Sequence, residues 1–464
     1  MSGKDDINSE KLSYLLELLG KKKISTINSD YESDSDFEDI EKPNIYPLLN
    51  MMLATTPVIT DEYPSVTTEA QIQVQLSINS IYRGLIQSST NEVHNRPFCI
   101  TEHNKYIMKS LTDPLPYYYK SLDANHGWLL FWLINSYSII NGRLKDAKIR
   151  DLVSNKICRN VIDEGSGGIA GGANQIGHAA ATYASILALV LVEDYELLNK
   201  IRPNLYKWFL SLKMPNGSFI MHQNGESDTR STYCVLVVAS LLNILTTDLC
   251  EGTLQWLNSC QTFEGGFAGV PNTEAHGGYT FCGMASYFLL LNPMNGDFLQ
   301  QINNQIDVHL LIRWCVMRQY QLEGGLSGRT NKLVDACYSF WIGAIYPMIE
   351  LITNTKTIFD RDALKCYILN CCQNIETGGF KDKPGKSVDF YHTNYTICGL
   401  SITEHHFSFS PTEKTESDAF AYSIDHEKIN EDDSHTNGIN PVFSLPNGMA
   451  EECKRYFQRM DEHI

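Results

Sequence analysis

A short glycine turn followed by an apolar residue recurs five times from residue 167 onward. The copies are Gly167-Gly168-Ile169, Gly217-Ser218-Phe219, Gly265-Gly266-Phe267, Gly324-Gly325-Leu326 and Gly378-Gly379-Phe380. The middle residues of successive turns lie 50, 48, 59 and 54 residues apart. An apolar segment of helical length follows each turn without strand alternation, so each repeat is predicted to be one helical hairpin. Such hairpins can stack into an open solenoid or close into an α/α barrel, and the period alone leaves both architectures open.

The repeats set the predicted domain organisation. Residues 61–464 are expected to form one all-α domain, because helical patterning begins well before the first glycine turn. Residues 1–60 are predicted to be a disordered acidic extension, since residues 30–41 hold seven acids and no base. A second acidic stretch, Glu413–Asp433, holds eight acids and two bases and predicts an insertion at about residues 413–438.

Charge and cysteine usage exclude several classes of protein. The net charge of −17 argues against a general nucleic-acid binder and against membrane docking by charge alone. The first residues carry no apolar signal segment, and the chain has no run of about 18 apolar residues, so no stable membrane insertion is predicted. Thirteen cysteines at irregular spacings are typical of reduced thiols, which predicts a cytoplasmic protein.

An ionisable residue lies three positions before a tyrosine in four of the five repeats. The pairs are Arg230 with Tyr233, His276 with Tyr279, Asp335 with Tyr338, and His392 with Tyr395. The first copy has Ala180 in that place, with His178 nearby. Equivalent positions of stacked repeats lie on one rim, near helix N-termini whose free N–H groups attract anions. We therefore expect a functional site at one mouth of the repeat array.

Three potential metal ligands fall on this expected rim. Asp335 and Cys337 place a carboxylate and a thiol two residues apart, and counting back from the tyrosines places His392 at the same repeat position as Asp335. Carboxylate, thiolate and imidazole all bind zinc, and three protein ligands with an open fourth position are typical of a catalytic site. The rival cluster of Cys366, Cys371 and Cys372 lies in an apolar helical pattern and is better explained as buried thiols.

Basic and aromatic residues accompany the candidate metal ligands. The groups that could surround a polyanion such as a diphosphate are Arg230, His276, Arg329, Lys332, Tyr338 and Lys386. The aromatic residues that could line a cavity for a long apolar ligand are Trp128, Trp132, Trp256, Trp341, Tyr279, Phe281, Tyr391 and Tyr395. Together these features predict alkylation of a metal-bound thiolate by an apolar diphosphate.

Three segments resemble a known family. They are AHGGYTFCG at residues 275–283, GRTNKLVDACYSFW at residues 328–341 and DKPGKSVDFYHT at residues 382–393. They are similar to the β subunits of protein farnesyltransferases, in the CaaX prenyltransferase family. The resemblance runs from about residue 62 to about residue 410 and resumes near residues 440–443 and the final helical segment.

This resemblance implies an α/α barrel of helical hairpins with a central cavity, paired with a separate α subunit. It implies one Zn²⁺ held by Asp335, Cys337 and His392, with the cysteine of a C-terminal CaaX sequence at the fourth position. The zinc-bound thiolate would attack farnesyl diphosphate, while an α-subunit lysine completes the diphosphate site. Asp382 would contribute to binding Mg²⁺ with the diphosphate.

The resemblance also distributes residues between the two substrates. The expected diphosphate contacts are His276, Arg329, Lys332 and Tyr338, with Lys386 nearby; Tyr338 and Lys332 would also act in catalysis. The expected isoprenoid cavity comprises Arg230, Tyr233, Tyr279, Cys282, Trp341, Trp128 and Tyr395. The expected peptide contacts are Trp128, Trp132, Tyr391, His178, Ala180, Ala124 and Asn125. Asn125 differs from the small hydroxyl residue expected there.

Three other functions fit parts of the pattern. The β subunit of geranylgeranyltransferase type I would share the fold and zinc site, but Trp128, Tyr395 and Asp382 favour the shorter lipid. A non-catalytic helical-repeat scaffold would be expected to have lost rim residues, and every expected position is intact. A terpene cyclase with a related barrel would need an acidic motif of the D-x-D-D type, which is not evident.

Overall fold

A computed structural model describes residues 63–86, 95–162, 167–292, 297–355, 358–411 and 422–462. The predicted disordered extension, residues 1–60, lies outside these ranges, as does part of the predicted acidic insertion. Within them the fold is almost entirely helical. No helix in the described ranges has both the length and the apolar character needed to cross a membrane.

The described residues contain seventeen α-helices and four short strands. The helices are α1 (Val66–Ile86), α2 (Ile100–Thr112), α3 (His126–Asn141), α4 (Ala147–Cys158), α5 (Ala179–Leu191), α6 (Tyr195–Leu212), α7 (Thr229–Leu241), α8 (Thr247–Cys250), α9 (Thr253–Ser259), α10 (Gly277–Leu290), α11 (Phe298–Asn303), α12 (Val308–Val316), α13 (Tyr338–Trp341), α14 (Ile345–Thr353), α15 (Arg361–Tyr367), α16 (Phe390–Glu404) and α17 (Met449–Glu462). The strands are β1 (Phe380–Lys381), β2 (Val388–Asp389), β3 (His405–Pro411) and β4 (Tyr422–Lys428), paired antiparallel as β1–β2 and β3–β4.

The inner helices close into a ring, which decides between the solenoid and the barrel. Helices α3, α5, α7, α10, α13 and α16 pack each against the next, and α16 packs against α3. A chain of aromatic rings follows the same path, with ring centroids 4.4–5.6 Å apart at every step between helices. Its members are Trp128, Tyr183, Tyr233, Phe281, Trp341, Tyr395, Tyr391 and Trp132. The predicted α/α barrel is confirmed.

The glycine turns let the outer helices pack closely against the barrel. A Cβ atom on Gly168 would lie 2.6 Å from the indole of Trp208, which belongs to outer helix α6 of the next hairpin. A Cβ atom on Gly379 would lie 3.0 Å from the ring of Tyr106, in outer helix α2 of the first hairpin. The last turn therefore packs on the first outer helix, so the outer ring closes as well.

The repeats place one helix-capping position on the rim ten residues after the middle of each turn. These positions are His178, Asp228, His276, Asp335 and Asp389. Four of them cap α5, α7, α10 and α16 by accepting backbone N–H groups, and Asp335 accepts the N–H of Cys337 in the same way. The predicted register is wrong for Arg230 and His392, which lie two and three residues beyond the caps Asp228 and Asp389.

The C-terminal part of the chain packs into and around the barrel. Residues 441–446 are buried. The carbonyl of Val442 accepts a hydrogen bond from the Tyr233 hydroxyl at 2.7 Å, and the Ser444 carbonyl accepts one from Asn135 at 2.9 Å. Strand β3 precedes the predicted acidic insertion and β4 lies within it; the two strands pair antiparallel, while residues 412–421 lie outside the described ranges.

Candidate active site

Asp335, Cys337 and His392 converge at the start of helices α13 and α16. One ligand atom from each residue lies within 4.8 Å of the others. Oδ1 of Asp335 accepts the Cys337 N–H at 2.9 Å and lies 3.2 Å from Nε2 of His392. The three residue types predicted as metal ligands are therefore brought together, although their spacing along the chain is long. They form the one group of three or more potential ligands found among the described residues.

A second carboxylate orients the histidine of this group. Nδ1 of His392 donates to Oδ2 of Asp389 at 2.6 Å, and Asp389 also caps α16 by accepting the backbone N–H of His392 at 2.8 Å. Nε2 of His392 is buried and makes no hydrogen bond of normal geometry. Burial lowers the pKa of His392, but the carboxylates of Asp335 and Asp389 outweigh it and raise that pKa to about 9. Nε2 is thus an atom at which a proton and a cation would compete.

The chemistry of these donors fits a divalent metal. Burial and the neighbouring Asp335 carboxylate raise the pKa of the Cys337 thiol well above its ordinary value. Only a nearby positive charge would make that sulfur an anion at neutral pH. A carboxylate, a thiol and a carboxylate-supported imidazole are a set that suits zinc, because metal-ligating histidines usually donate their other ring N–H to an outer carboxylate.

Asp382, the residue predicted to bind magnesium, lies beside the metal-ligand group. Its carbonyl accepts the N–H of Ala336 at 2.9 Å, which fastens its loop to the segment carrying Asp335 and Cys337. Its carboxylate contacts the ammonium group of the buried Lys383. Burial and the Asp335 carboxylate raise the pKa of Asp382. One carboxylate that already pairs with a lysine does not make a Mg²⁺ site without further oxygen ligands.

Next to the candidate metal ligands, on the α10 side, His276 and Tyr338 form a hydrogen-bonded pair. Nδ1 of His276 accepts the backbone N–H of Gly278 at 3.0 Å, so the ring proton must be on Nε2. Nε2 lies 3.0 Å from the Tyr338 hydroxyl and therefore donates to its oxygen. The Tyr338 hydroxyl hydrogen remains available for another acceptor. Burial and the nearby Arg329 lower the pKa of His276 to about 4, so this histidine is neutral near pH 7.

Of the other predicted diphosphate residues, Arg329 lies close enough to His276 and Tyr338 to lower the pKa of each. Nη1 of Arg329 lies 2.8 Å from Oε2 of Glu274, and both side chains are partly exposed. Lys332 and Lys386 are exposed. Neither lysine's ammonium group has a hydrogen bond or ion pair to a described residue. The geometry therefore gathers His276, Tyr338 and Arg329 and leaves the two lysines free to move.

The predicted isoprenoid residues line the inner wall of the barrel. Tyr233, Cys282 and Tyr395 are buried, whereas Trp128, Trp341 and Tyr279 are only half-buried. The three half-buried side chains are the wall residues that a ligand could reach from solvent. Arg230 lies on the rim, where it pairs with Asp228 at 2.6 Å and stands 5.4 Å from the Tyr279 ring centroid.

The predicted peptide residues fall into two groups. Trp132 and Tyr391 are neighbours, with ring centroids 5.5 Å apart, and the Tyr391 hydroxyl accepts the indole N–H of Trp341 at 2.9 Å. His178 caps α5 by accepting the N–H of Ala180 at 3.2 Å, and Asn125 precedes α3. His178 also lies against His222, with ring centroids 5.5 Å apart. Trp132 and Tyr391 lie on the neighbouring helices α3 and α16. His178, Ala180 and Asn125 lie at the starts of the neighbouring helices α5 and α3.

Sequence reasoning missed three residues that organise this site. Asp389 orients His392, Asp228 holds Arg230 and Glu274 pairs with Arg329. The first two could have been found from the sequence, because both occupy the capping position ten residues after the middle of a glycine turn. Glu274 carries no comparable signal, since its pairing depends on how a neighbouring loop folds.

Known proteins match this chain over most of its length. A family model described as the prenyltransferase alpha-alpha toroid domain matches residues 98–445. The β subunit of protein farnesyltransferase from Schizosaccharomyces pombe is 39% identical over 374 residues, covering 78% of this chain and 91% of that relative. The corresponding subunit from Saccharomyces cerevisiae is 37% identical over 407 residues, covering 84% and 86%. The geranylgeranyl transferase type-1 β subunit of Arabidopsis thaliana is 29% identical over 341 residues, covering 67% and 88%.

A solved structure shows the same fold. A chain of Candida albicans protein geranylgeranyltransferase-I complexed with GGPP superposes with a TM-score of 0.62 at 20% identity, covering 78% of this chain and 99% of that one. Identity this low establishes the architecture alone, and the higher identities to farnesyltransferases place the chain nearer to them than to the type-1 enzyme. The chain therefore belongs to the prenyltransferase α/α toroid family, among the β subunits of protein farnesyltransferase.

Proposed function

We propose that the rim of this β subunit holds one Zn²⁺ through Asp335, Cys337 and His392. There it would support transfer of farnesyl from farnesyl diphosphate to the cysteine thiol of a C-terminal CaaX sequence. The observation that carries this proposal is the convergence of the three ligand atoms within 4.8 Å. Three protein ligands would leave a fourth position open, as in catalytic zinc sites. Zinc bound there would lower the pKa of an incoming thiol, so that the thiolate is present at neutral pH.

The chain's own residues would handle the leaving diphosphate. Tyr338 can donate its hydroxyl hydrogen to a phosphate oxygen, because its oxygen already accepts from Nε2 of His276. Arg329 can exchange its exposed partner Glu274 for the more highly charged diphosphate, with Lys332 and Lys386 swinging in from the surface. Donors that meet charge as it develops on the leaving group accelerate the reaction.

A separate α subunit is proposed to complete this site. The guanidinium groups of Arg329 and Arg230 both lower the pKa of His276, but each already pairs with a carboxylate, and Lys332 and Lys386 are exposed. A further lysine from the α subunit would supply the positive charge that this chain does not fix in place. We also propose that Asp382 contributes to binding Mg²⁺ when the diphosphate is present. One carboxylate is too few ligands for Mg²⁺, and the phosphate oxygens would provide others. Mg²⁺ would then compete with Lys383 for that carboxylate.

The aromatic inner wall would bind the isoprenoid and the peptide. Trp128 on α3 and Tyr395 on α16 are proposed to limit the length of the lipid chain. The Tyr395 hydroxyl lies near the indole of Trp132, but neither group makes a hydrogen bond of normal geometry. Trp132 and Tyr391 would contact the apolar CaaX residues. His178, Ala180 and Asn125 would contact the last residue.

Two further expectations stay proposals. Residues 1–60 are proposed to be a disordered acidic extension of a 61–464 barrel domain, and the acidic stretch at about residues 413–438 is proposed to be an insertion within that domain. A cytoplasmic location is proposed because all thirteen cysteines, including the exposed Cys158, are free thiols.

The test is metal analysis and a transfer assay on the heterodimer. We expect one zinc per β subunit and a higher kcat/KM with farnesyl diphosphate than with the geranylgeranyl homologue. The variant Trp128→Thr should narrow this preference, because it removes a clash with the longer chain rather than adding a contact. A heterodimer that transfers farnesyl without zinc would contradict the metal proposal. An unchanged lipid preference in the variant would mean that Trp128 does not limit chain length.

A further inference from the structure

The main-chain carbonyl of Asp382 joins the candidate metal site to the outer layer of the barrel. It accepts the N–H of Ala336 at 2.9 Å, and Ala336 lies between two of the candidate metal ligands. The same oxygen accepts the hydroxyl hydrogen of Tyr367 at 3.2 Å, and the Sγ atom of Cys372 lies 3.8 Å from it. One atom of the proposed magnesium ligand is therefore held both by the segment of the metal ligands and by the outer layer.

A π-helical turn explains how both outer donors reach this oxygen. Outer helix α15 runs directly into the turn, Ile368–Cys372, where the N–H of Gln373 donates to the carbonyl of Ile368 at 3.1 Å. In an α-helix, residues five apart such as Tyr367 and Cys372 would point about 140° apart around the helix axis. The wider π turn brings the two side chains closer to one face, and such turns are frequent at functional sites.

Both outer donors are held in place by packing. Tyr367 and Cys372 are fully buried. The Tyr367 ring lies against the glycine turn of the fourth repeat, where a Cβ atom on Gly325 would come within 2.8 Å of the ring. Burial raises the pKa of the Tyr367 hydroxyl well above its ordinary value, so the hydroxyl keeps its hydrogen and remains a donor. It is thus a fixed donor directed at the Asp382 carbonyl.

We propose that Tyr367 and Cys372 are positioning residues of the active site. They fix the peptide group that follows Asp382, and with it the place of the Asp382 carboxylate. This inference rests on the proposed function, in which that carboxylate contributes to binding Mg²⁺ with the diphosphate. Mg²⁺ requires a nearly ideal octahedral shell, so a displaced carboxylate binds it less well. The outer layer of the barrel therefore tunes the affinity of the site for Mg²⁺ without touching the ion.

The main test is the Mg²⁺ dependence of farnesyl transfer by the zinc-loaded heterodimer. In Tyr367→Phe the carbonyl loses one ordinary hydrogen bond, so the Mg²⁺ concentration that gives half of the limiting single-turnover rate should rise about 5-fold. The limiting rate should stay within about 2-fold, because saturating Mg²⁺ selects the positioned carboxylate. Tyr346→Phe is the matched control, since this buried hydroxyl donates to another main-chain carbonyl, that of Cys315, at 3.0 Å. It should leave the Mg²⁺ dependence unchanged.

A second pair of variants tests the weaker donor. Cys372→Ser keeps a donor at this place, whereas Cys372→Ala removes it. The half-maximal Mg²⁺ concentration should rise about 2-fold in Cys372→Ala, since a thiol is a weak donor, and should stay close to the unmodified value in Cys372→Ser. The difference between these two small substitutions separates hydrogen bonding from packing.

Hydrogen exchange of the heterodimer without Zn²⁺ or Mg²⁺ gives a readout that does not depend on activity. The loop between β1 and β2 begins at Asp382, and its partner in the ligand segment is the Ala336 N–H. Backbone exchange in residues 335–338 and 382–387 should be faster in Tyr367→Phe than in the unmodified heterodimer, because the loop opens more readily. Tyr346→Phe should leave exchange in these residues as it is.

Three results would overturn the positioning role. They are an unchanged half-maximal Mg²⁺ concentration in Tyr367→Phe, an equal rise in Tyr346→Phe, and equal Mg²⁺ dependence of Cys372→Ala and Cys372→Ser. Failure of the proposed function is recognised separately with Asp382→Ala. If that variant keeps the Mg²⁺ response of the unmodified heterodimer, Asp382 is not a magnesium ligand. If it loses the response while Tyr367→Phe keeps it intact, only the positioning role is wrong.

Discussion

The two sides of the rim use the same repeat position in opposite ways. At the start of α10 the capping residue is His276, and at the start of α16 it is Asp389. His276 is held neutral, because burial and Arg329 lower its pKa to about 4. His392, one turn inside α16, has its pKa raised to about 9 by two carboxylates that outweigh burial. The start of α10, which we call the anion side, therefore presents N–H and O–H donors. The start of α16 gathers carboxylates around an imidazole nitrogen at which a proton and a cation would compete.

A change of capping residue accounts for much of this difference. A histidine cap accepts the Gly278 N–H through one ring nitrogen and must present N–H at the other, which suits an anion. An aspartate cap accepts the backbone N–H of His392 with one oxygen and the imidazole Nδ1–H with the other. It thereby directs the second imidazole nitrogen towards a cation. One scaffold thus places the His276–Tyr338 donors beside a group of potential metal ligands at the starts of α13 and α16.

Removal of a metal ligand should have the largest effect on this contrast. Cys337→Ala leaves two ligands, so zinc should be lost and transfer should fall by more than about 100-fold, since changing a mere supporting partner costs 10–100-fold. Binding of farnesyl diphosphate should persist, because its proposed contacts are on the His276 side. Metal analysis and a binding titration check both statements. Cys315→Ala, at a buried thiol of outer helix α12, is the control. Stoichiometric zinc in Cys337→Ala would contradict the ligand assignment.

Loss of a donor on the anion side should have the next largest effect. Tyr338→Phe removes the hydroxyl proposed to meet the leaving diphosphate, and the single-turnover rate should fall about 100-fold with zinc content unchanged. The effect should be on kcat rather than on KM, because the charge develops in the transition state. Tyr206→Phe, whose hydroxyl lies 3.0 Å from Thr246 on the outer surface, is the matched control. An unaltered rate in Tyr338→Phe would remove this hydroxyl from the mechanism.

The helical hairpins of the fold are largely predictable, because the residues that mark each repeat act on the local structure of the chain. Gly168, Gly266 and Gly379 mark turns that only glycine fits, and the helical segments between them follow from apolar spacing. Closure was not predictable from these signals, because it depends on contacts between α16 and α3 at opposite ends of the repeat array. The prediction of a closed barrel came from the resemblance of three long segments to a known family. The ring of aromatic residues on the inner helices confirms that the barrel is closed.

The site was predictable in its residues more than in its geometry. Counting three residues back from each tyrosine places His392 in the same repeat position as Asp335. In the structure, the residue equivalent to Asp335 is Asp389, which caps α16. The tyrosines are a poor reference for the repeat register, because they lie at different distances from the starts of their helices. A need for burial alone does not restrict a tyrosine to one position on a helix. The glycine turn is a better reference, since the same backbone path of ten residues leads from it to each cap. Pairs such as Arg329 with Glu274 join separate loops and have no sequence pattern.

A smaller effect is expected from changing Asp389, the carboxylate that orients the proposed histidine ligand His392. Asp389→Asn should still cap α16, because asparagine caps helices as well as aspartate does. The amide no longer provides a charged acceptor for Nδ1–H, so zinc affinity should fall about 10- to 100-fold and saturating zinc should restore activity. Asp228→Asn changes the equivalent cap on α7, where the carboxylate holds Arg230, and should leave zinc affinity as it is. Competition with a buffered chelator measures both variants. Equal affinity in Asp389→Asn and the unmodified chain would mean that the His392 ring is oriented by something else.

The smallest effect concerns the proton on the anion side. Because the pKa of His276 is lowered to about 4, from an ordinary value near 6.5, the ring gains almost no charge between pH 8 and pH 5.5. His276→Asn keeps a capping side chain and an N–H donor but cannot be protonated in this range.

The diphosphate itself titrates, so affinity for farnesyl diphosphate will change with pH both in the unmodified chain and in His276→Asn. The ratio of their dissociation constants should nevertheless stay constant across that window. If His276 instead titrated near 6.5, the unmodified chain would gain an added positive charge on acidification, and its affinity would rise relative to the variant. A ratio that changes with a midpoint near pH 6.5 would therefore show that the two sides of the rim differ less in charge than their hydrogen bonds indicate.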